Sequence, residues 1–341
     1  MTCALIIPYF GKFKNYFDVF LKSFSYNPQF NLLLITDNDE TYLYPSNVKK
    51  LNMSFEQFRE LVQSKFDFNI SLEKPYKLCD YKPAYGYICE QWLEGYDYWG
   101  HCDCDLIFGD LSPVEHILSE GYDKVFTAGH LTIYKNSHEN NRIFMGKIDG
   151  LSLYQKVYQS PKIFAFDEVV YSVSVNDLFV QCGKKIYAKD MSYNCSTKHK
   201  NLTRVMYDDT KKRWIEEKTK FDQLYWNEGR LYRIFIKNGK LSKEEFIYIH
   251  LQMRNMKYKV DDQKRVTTYK INADSIVELD KLPDSCIEFK KTKRIVVSGR
   301  ELIKFVKRIK SRFCRQQVHI HSQRKSEQTN LSMRCTQKSL V

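Results

Sequence analysis

The sequence predicts an α/β fold: a mixed, mainly parallel sheet covered by helices, with an antiparallel hairpin region and a basic C-terminal helix and tail. Three observations carry this. Short apolar runs alternate with segments of helical periodicity through the first third of the chain. Turn signals at Asn227-Glu228-Gly229 and Asn238-Gly239 punctuate residues 202–250, and Asn-Gly is a favoured type I′ hairpin turn because both central residues take positive φ. Charge is concentrated at one end: residues 291–341 hold 14 Lys and Arg against Glu301 and Glu327, leaving 40 basic against 39 acidic residues before them.

The elements follow in order. Ala4–Pro8 is a short apolar run suited to a buried strand. Asn15 is placed to cap a helix running to about Tyr26, with Phe17, Phe20, Leu21 and Phe24 on one face. Leu32–Ile35 reads as a second buried strand, ending at Thr36-Asp37-Asn38-Asp39. Ser54 followed by Gln57 is a capping-box pattern that opens a helix to about Phe66. Pro75 suits the first turn of another helical segment, which Pro83 kinks or restarts before it runs on to Leu93. Tyr96–Cys102 reads as a strand ending at Asp103-Cys104-Asp105. Lys124–Ala128 and Leu131–Tyr134 are strand-like, 138–146 and 166–181 are helical, and 202–250 is antiparallel with a last strand at Phe246–His250. The chain thus divides into a folded domain over 1–258, a poorly defined connection over 259–294, a basic amphipathic helix over 295–315 and a polar, disordered tail over 316–341. In that helix Leu302, Val306, Ile309 and Phe313 make an apolar stripe, flanked by Lys304, Lys307, Arg308 and Lys310.

Composition narrows the function. Apolar residues at 43% suffice for a sizeable core, and aromatics at 15% offer stacking surfaces for sugars or bases. No apolar run reaches the ~18 residues of a transmembrane helix, and the N-terminus lacks the basic and apolar regions of a signal peptide, so a cytoplasmic protein is expected. The ten cysteines suit free thiols there. Cys102, Cys104 and His101 could suggest zinc, but no second cysteine pair with ligand spacing follows. A neutral body without a basic-aromatic motif argues against specific nucleic-acid binding, and the basic end points to an anionic surface such as the inner face of a membrane.

In open α/β sheets, ligands bind beyond the carboxyl ends of the strands. Three such ends stand out: Pro8-Tyr9-Phe10-Gly11, Thr36-Asp37 and His101–Asp105. The last contains Asp-x-Asp. In a strand, residues i and i+2 point the same way, so Asp103 and Asp105 can share one ion. Hard oxygen ligands suit Mg²⁺ or Mn²⁺, and a solvated turn is the plain alternative.

Ile6–Lys12, Lys77–Gly86 and Trp99–Asp110, with Gly129-His130-Leu131, Phe164–Glu168 and Tyr248–Gln252, resemble a bacterial family. Its members are glycosyltransferase-like proteins of surface and capsular polysaccharide gene clusters. The likeness spans roughly residues 3–257, and Cys104 stands where the family more commonly has Leu. More remotely, the chain is similar to retaining GT-A transferases with a Lys-x-x-Asp helix before the metal aspartates, here Lys77-x-x-Asp80 with Lys82 close by. That resemblance implies a GT-A-like fold. It implies that Asp80 holds sugar hydroxyls and that Lys77 or Lys82 reaches a phosphate. It also implies His250 as a third metal ligand, with Arg254 as a phosphate clamp on the same segment.

Asp167-Glu168 is a further acidic pair. An inverting transferase needs a carboxylate to take the acceptor proton, and a retaining one can use it to support or attack the cationic sugar. Asp167 is the candidate in either case, and an acidic helix start is the alternative. Tyr9 and Asp37 are placed to flank the base and ribose, or to serve as turn residues. The expected activity is transfer of a sugar from a nucleotide-diphosphate sugar to a glycan or lipid-linked acceptor, with Mn²⁺ or Mg²⁺ stabilising the departing diphosphate. A sugar-phosphate transferase and an inactive sugar-nucleotide-binding homologue are the alternatives.

Overall fold

The structure is a computed structural model that describes residues 1–168, 174–208, 213–217, 223–258 and 267–293. The chain divides into Met1–Arg294 and Ile295–Val341, and all described residues belong to the first unit. The expected basic helix at 295–315 and the tail at 316–341 lie outside the described residues.

Strands β1 (Cys3–Pro8), β2 (Phe30–Thr36), β3 (Val48–Asn52), β4 (Tyr98–Cys102), β5 (Leu106–Phe108), β6 (Lys124–Val125) and β7 (Leu131–Lys135) come first. A small hairpin, β8 (Lys147–Ile148) and β9 (Leu151–Ser152), precedes β10 (Ile186–Tyr187) and β11 (Tyr193–Asn194). The main sheet has seven strands in the order β10-β6-β7-β4-β1-β2-β3. Every neighbouring pair in it is parallel except those of β7, which runs antiparallel to β4 and β6. This is the mixed, mainly parallel α/β sheet expected.

The sequences of β1 and β2 are almost continuously apolar because both faces of the sheet are covered. On one face Leu5, Ile7, Leu32 and Leu34 pack with Phe17, Phe20 and Phe24. On the other, Ala4, Ile6, Leu33 and Ile35 pack with Phe58, Val62, Tyr85 and Trp99. The helix Phe17–Ser25 buries its predicted face, but Asn15 does not cap it: Tyr16 holds the cap position without a side-chain bond, and Asn15 Nδ2 donates to Met256 O at 3.0 Å. The Ser54–Gln57 capping box forms in both directions and opens a helix over Phe55–Gln63. Pro75–Ala84 is a 3₁₀ helix, followed by a short α-helix at Tyr85–Ile88 and a 3₁₀ turn at Glu90–Trp92. Asn140–Met145 is also 3₁₀, and the described part of the 166–181 segment is helical only over Val175–Gln181.

The later strands are β12 (Val205–Asp208), β13 (Arg213–Glu216), β14 (Gln223–Asn227), β15 (Arg230–Lys237), β16 (Lys240–Phe246), β17 (Tyr248–His250), β18 (Thr268–Ile271) and β19 (Ile276–Leu279). An antiparallel sheet runs β16-β15-β14-β18-β19, and among the described residues β12 and β13 form a separate antiparallel pair. Asn238 and Gly239 take φ of 51° and 74°, as their hairpin turn requires. Phe246 ends β16, so the last predicted strand begins at Tyr248 instead. Pairing does not stop at residue 258. The hairpin β18–β19 continues the sheet, with Tyr269, Ile271 and Ile276 packed against Leu224 and Trp226. Lys270 alternates with Tyr269 and Ile271 as a solvent-facing residue would, yet it is buried and donates to Thr292 O. Among the described residues no helix is long and apolar enough to cross a membrane.

Strand β4 is the pivot between β1 and β7, and its centre is Gly100. A Cβ there would fall 2.5 Å from Thr132 O and 2.9 Å from Leu5 Cδ2. Gly100→Ala is expected to cost about 1–3 kcal/mol by overpacking. Ser54→Ala, which removes only a cap, is expected to cost about 1 kcal/mol. Urea denaturation of both variants checks this; an undiminished midpoint for Gly100→Ala would show slack in the central strand.

Candidate active site

The chain leaves the main sheet at the end of β4 and enters a second sheet, ordered β11-β17-β5, through Asp103-Cys104-Asp105. The two carboxylates therefore sit in a link, not at i and i+2 of a strand. They converge because of pairing register. Strand β17 is antiparallel to β5 and parallel to β11, which sets His250 opposite Leu106 on one side and Asn194 on the other. One ligand atom each from Asp103, Asp105 and His250 lies within 4.8 Å of the others. His250 Nε2 is 3.3 Å from Asp105 Oδ1 and 3.6 Å from Asp103 Oδ2.

The other face of the imidazole decides what this group can hold. His250 Nδ1 is 3.1 Å from Asn194 Oδ1, which also accepts from Gln252 Nε2 at 2.9 Å. An amide oxygen only accepts, so Nδ1 carries the proton and Nε2 faces the two carboxylates. Acceptors alone then converge on one point, and that arrangement calls for a cation there, a proton on Nε2 or a metal ion. The donor set of two carboxylates and an imidazole fits Mn²⁺ or Mg²⁺. Burial works to raise the Asp105 pKa, but His250 and the Met253 N–H outweigh it and hold the carboxyl below its ordinary value. Burial works to lower the His250 pKa, and Asp105 and Asp103 overcome it and raise the imidazole above its ordinary value. Gln252 and Met253 both take left-handed φ, 55° and 54°, which costs about 1–3 kcal/mol each for non-glycine residues. That turn aims the Met253 N–H at Asp105 Oδ2.

Lys82 joins this group to a second one. Its Nζ lies 2.8 Å from Asp103 Oδ1, 2.8 Å from Gly129 O and 3.4 Å from Asp167 Oδ2. Burial pulls the Lys82 pKa down, but Asp103 and Asp167 hold it well above the usual lysine range. Asp167 is 3% exposed. Burial, and then the neighbouring charges of Glu168 and Asp103, push its pKa up to about 7 against the pull of Lys82. Glu168 Oε2 accepts from Gly129 N at 3.2 Å. Residue 129 must be glycine for this approach, since a Cβ would lie 2.2 Å from Asp167 Oδ2.

Four sequence-predicted residues have other tasks. In a 3₁₀ helix, residues i and i+3 eclipse, so Lys77 and Asp80 meet each other at 2.7 Å instead of projecting together toward a ligand. Lys77 Nζ also donates to Val157 O and Lys162 O, and fully buried Asp80 accepts from Phe164 N and Phe166 N. The pair ties down the segment that carries Asp167 and does not reach the cleft. Arg254 is not placed as a phosphate clamp: its guanidinium donates to the carbonyls of Ser196, His199 and Lys200 at 2.9 Å each. Asp37 is exposed, accepts from Gly11 N at 2.8 Å and acts as a turn residue.

A cleft of about 940 Å³ runs over the acidic groups. Its floor is the end of β1 with Tyr9, whose ring stacks on Phe13 at 4.8 Å, and its walls bring in Lys82, Asp167, His250 and residues 194–198. Sequence reasoning missed Asn194 and Lys198, which no local pattern marks, and assigned no role to Gln252 or to His130, whose Nδ1 lies 2.7 Å from Tyr248 Oη.

The raised Asp167 pKa makes stability depend on pH. The folded carboxyl keeps its proton up to about pH 7, whereas the unfolded one releases it near its ordinary value of 3.8. The native state binds more protons in that window, so stability falls as pH rises through it. Asp167→Asn removes this penalty. It is expected to stabilise the protein at pH 8 relative to pH 5 by on the order of 1–3 kcal/mol. Urea titrations at the two pH values check the sign; a larger loss at pH 8 than at pH 5 would reverse it.

No curated protein matches the chain. Among solved structures it is similar to the galactosyltransferase LgtC in complex with donor and acceptor sugar analogs, at a TM-score of 0.33 and 10% identity over 58% of this chain and 76% of that one. An active-site mutant of LgtC gives a TM-score of 0.34 and 10% identity over the same shares. Scores this low do not establish a shared activity. Over residues 5–280 the chain matches a family described as being of unknown function, DUF6625, and it belongs to that family.

Proposed function

We propose that the protein is a metal-dependent glycosyltransferase of the GT-A type. It moves a sugar from a nucleotide-diphosphate donor to a polysaccharide or lipid-linked acceptor in surface or capsular polysaccharide synthesis. The observation that carries this is the convergence of Asp103, Asp105 and His250 beside Asp167 in one cleft, at the carboxyl ends of β1 and β4. The sugar-transfer chemistry is supported by the motif resemblance from Ile6 to Gln252, and a cleft of about 940 Å³ suits a nucleotide sugar.

Mn²⁺ or Mg²⁺, held by Asp103, Asp105 and His250, would supply charge neutralisation for the departing diphosphate. The chain's own residues do the rest. Lys82 orients Asp103 and separates its charge from that of Asp167. Asp167, poised at about 7, can accept the hydroxyl proton of the acceptor or support the cationic sugar. Glu168 stands beside it on Gly129 N. Tyr9, stacked on Phe13 in the cleft, offers a platform for the base. The protein works in the cytoplasm, and the basic, apolar-striped sequence at 295–315 holds it peripherally at an anionic membrane, where a lipid-linked acceptor would lie.

Asp103→Ala and Asp105→Ala are expected to lower transfer roughly a thousandfold, the equivalent of losing several kcal/mol of leaving-group stabilisation. His250→Ala is expected to raise the metal concentration needed for half activity more than the acceptor KM. Free Mn²⁺ by electron paramagnetic resonance and product mass read the two effects; full activity in excess EDTA would end the metal mechanism. For the membrane contact, anionic liposomes are expected to sediment the full chain in a salt-sensitive way and to leave a chain ending at residue 294 in solution. Equal sedimentation of both would remove the C-terminal segment from the reading.

A further inference from the structure

The cleft is acidic. Asp103, Asp105, Asp167, Glu168 and Glu216 line it against two lysines, Lys82 and Lys198. Lys82 is already committed to Asp103, Gly129 O and Asp167. Lys198 forms no ion pair with an acid among the described residues; Glu216 senses its charge, but that carboxylate is bound to His199 at 2.9 Å and to Ser196 Oγ at 3.0 Å. An anion in the cleft therefore has one described lysine to turn to.

The backbone of the loop that carries Lys198 is held in place on both sides of it. Arg254 Nη2 donates to Ser196 O and His199 O, and Nη1 donates to Lys200 O, all at 2.9 Å. A guanidinium that commits its fork to three carbonyls of one loop fixes that loop's path. Glu216 clamps the same loop through Ser196 and His199. The loop also continues directly from the metal group: Asn194 holds His250, and Cys195 N donates to His250 O at 3.1 Å. The backbone that carries Lys198 is thus tied to the strand of His250, and the exposed Lys198 side chain lines the same cleft as Asp103, Asp105 and His250.

We infer that Lys198 is the cationic contact for the diphosphate of the donor, and that Arg254 is the positioning residue that holds its loop in register with the metal group. The inference rests on the proposed metal-dependent transfer, which supplies the diphosphate. It replaces a direct Arg254 phosphate contact with an indirect one: the arginine acts through the loop, and the lysine meets the anion.

The experiment is calorimetric titration of inorganic pyrophosphate with Mn²⁺ into the full chain and its variants, together with Mn²⁺ alone. Lys198→Ala is expected to weaken Mn²⁺–pyrophosphate binding at least tenfold, to flatten its salt dependence and to leave the affinity for Mn²⁺ alone and the melting temperature unchanged. Lys198→Arg restores most of the binding. Arg254→Lys weakens pyrophosphate binding as well, and adding Lys198→Ala to it brings little further loss. If the unaltered protein binds Mn²⁺–pyrophosphate and Lys198→Ala binds it equally well, the assignment of Lys198 falls while the metal-dependent reading stands. If the unaltered protein binds Mn²⁺ but no pyrophosphate, the diphosphate donor and the Lys198 assignment fall together.

Discussion

The site depends on one strand being paired along both edges. Strand β17 lies between β5 and β11, and its register sets His250 beside the β4–β5 link and opposite Asn194. Asp103 and Asp105 are distant from His250 in sequence, and no local preference brings them together. The ladder does. It also sets the imidazole's tautomer, because Asn194 Oδ1 can only accept and so directs the Nδ1 proton away from the carboxylates. The left-handed turn at Gln252-Met253 follows immediately and closes on Asp105. Strain of this kind persists only where the surroundings over-determine it, and here the double-edged pairing of β17 and the Asn194–Gln252 bond do so.

Around this centre the protein tolerates charges that burial disfavours. Asp80 is fully buried, yet it accepts from one lysine and two backbone amides, so its charge is satisfied in place. Removing one partner of such a pair typically costs 3–5 kcal/mol, because the remaining charge is left uncompensated. Asp167 has no comparable set of donors among the described residues. Lys82 is shared with Asp103, and the result is a carboxyl whose pKa is pushed up to about 7. Two buried aspartates near each other in the fold thus differ for a definite reason. One is satisfied and anchors a segment; the other is left short of donors at the end of that segment and remains able to exchange a proton.

How much of this the sequence discloses depends on the range of the interaction. The apolar runs of β1 and β2, the Ser54–Gln57 capping box and the Asn238-Gly239 turn are encoded within a few residues, and the structure contains each of them. Asp103 and Asp105 stand out because they follow an apolar strand. The tasks of Lys77, Asp80 and Arg254 are not legible in the same way. Lys77 and Asp80 face each other only because Pro75–Ala84 winds as a 3₁₀ helix, with Pro83 inside it. Arg254 turns to carbonyls only because residues 196–200 fold back across it. Asn194 carries no local signal, since its role exists only once β11 is paired with β17. In the hairpin β18–β19, Lys270 reads locally as a solvent-facing residue, and only tertiary packing buries it, against Tyr225 and Thr292 O.

The charge distribution then constrains what can occupy the cleft. With five acids and two lysines along its walls, the cleft repels a bare anion. Among the described residues that line the cleft, a long polyanion would find no cationic track. A small anion that arrives chelated to a divalent cation meets the opposite situation. Its metal is drawn by Asp103, Asp105 and His250, while its outer oxygens need only one further cation. On the proposed reading, selection for the metal complex over the free anion would follow from the excess of carboxylates, and Lys198, which forms no ion pair among the described residues, is where the complex would be oriented.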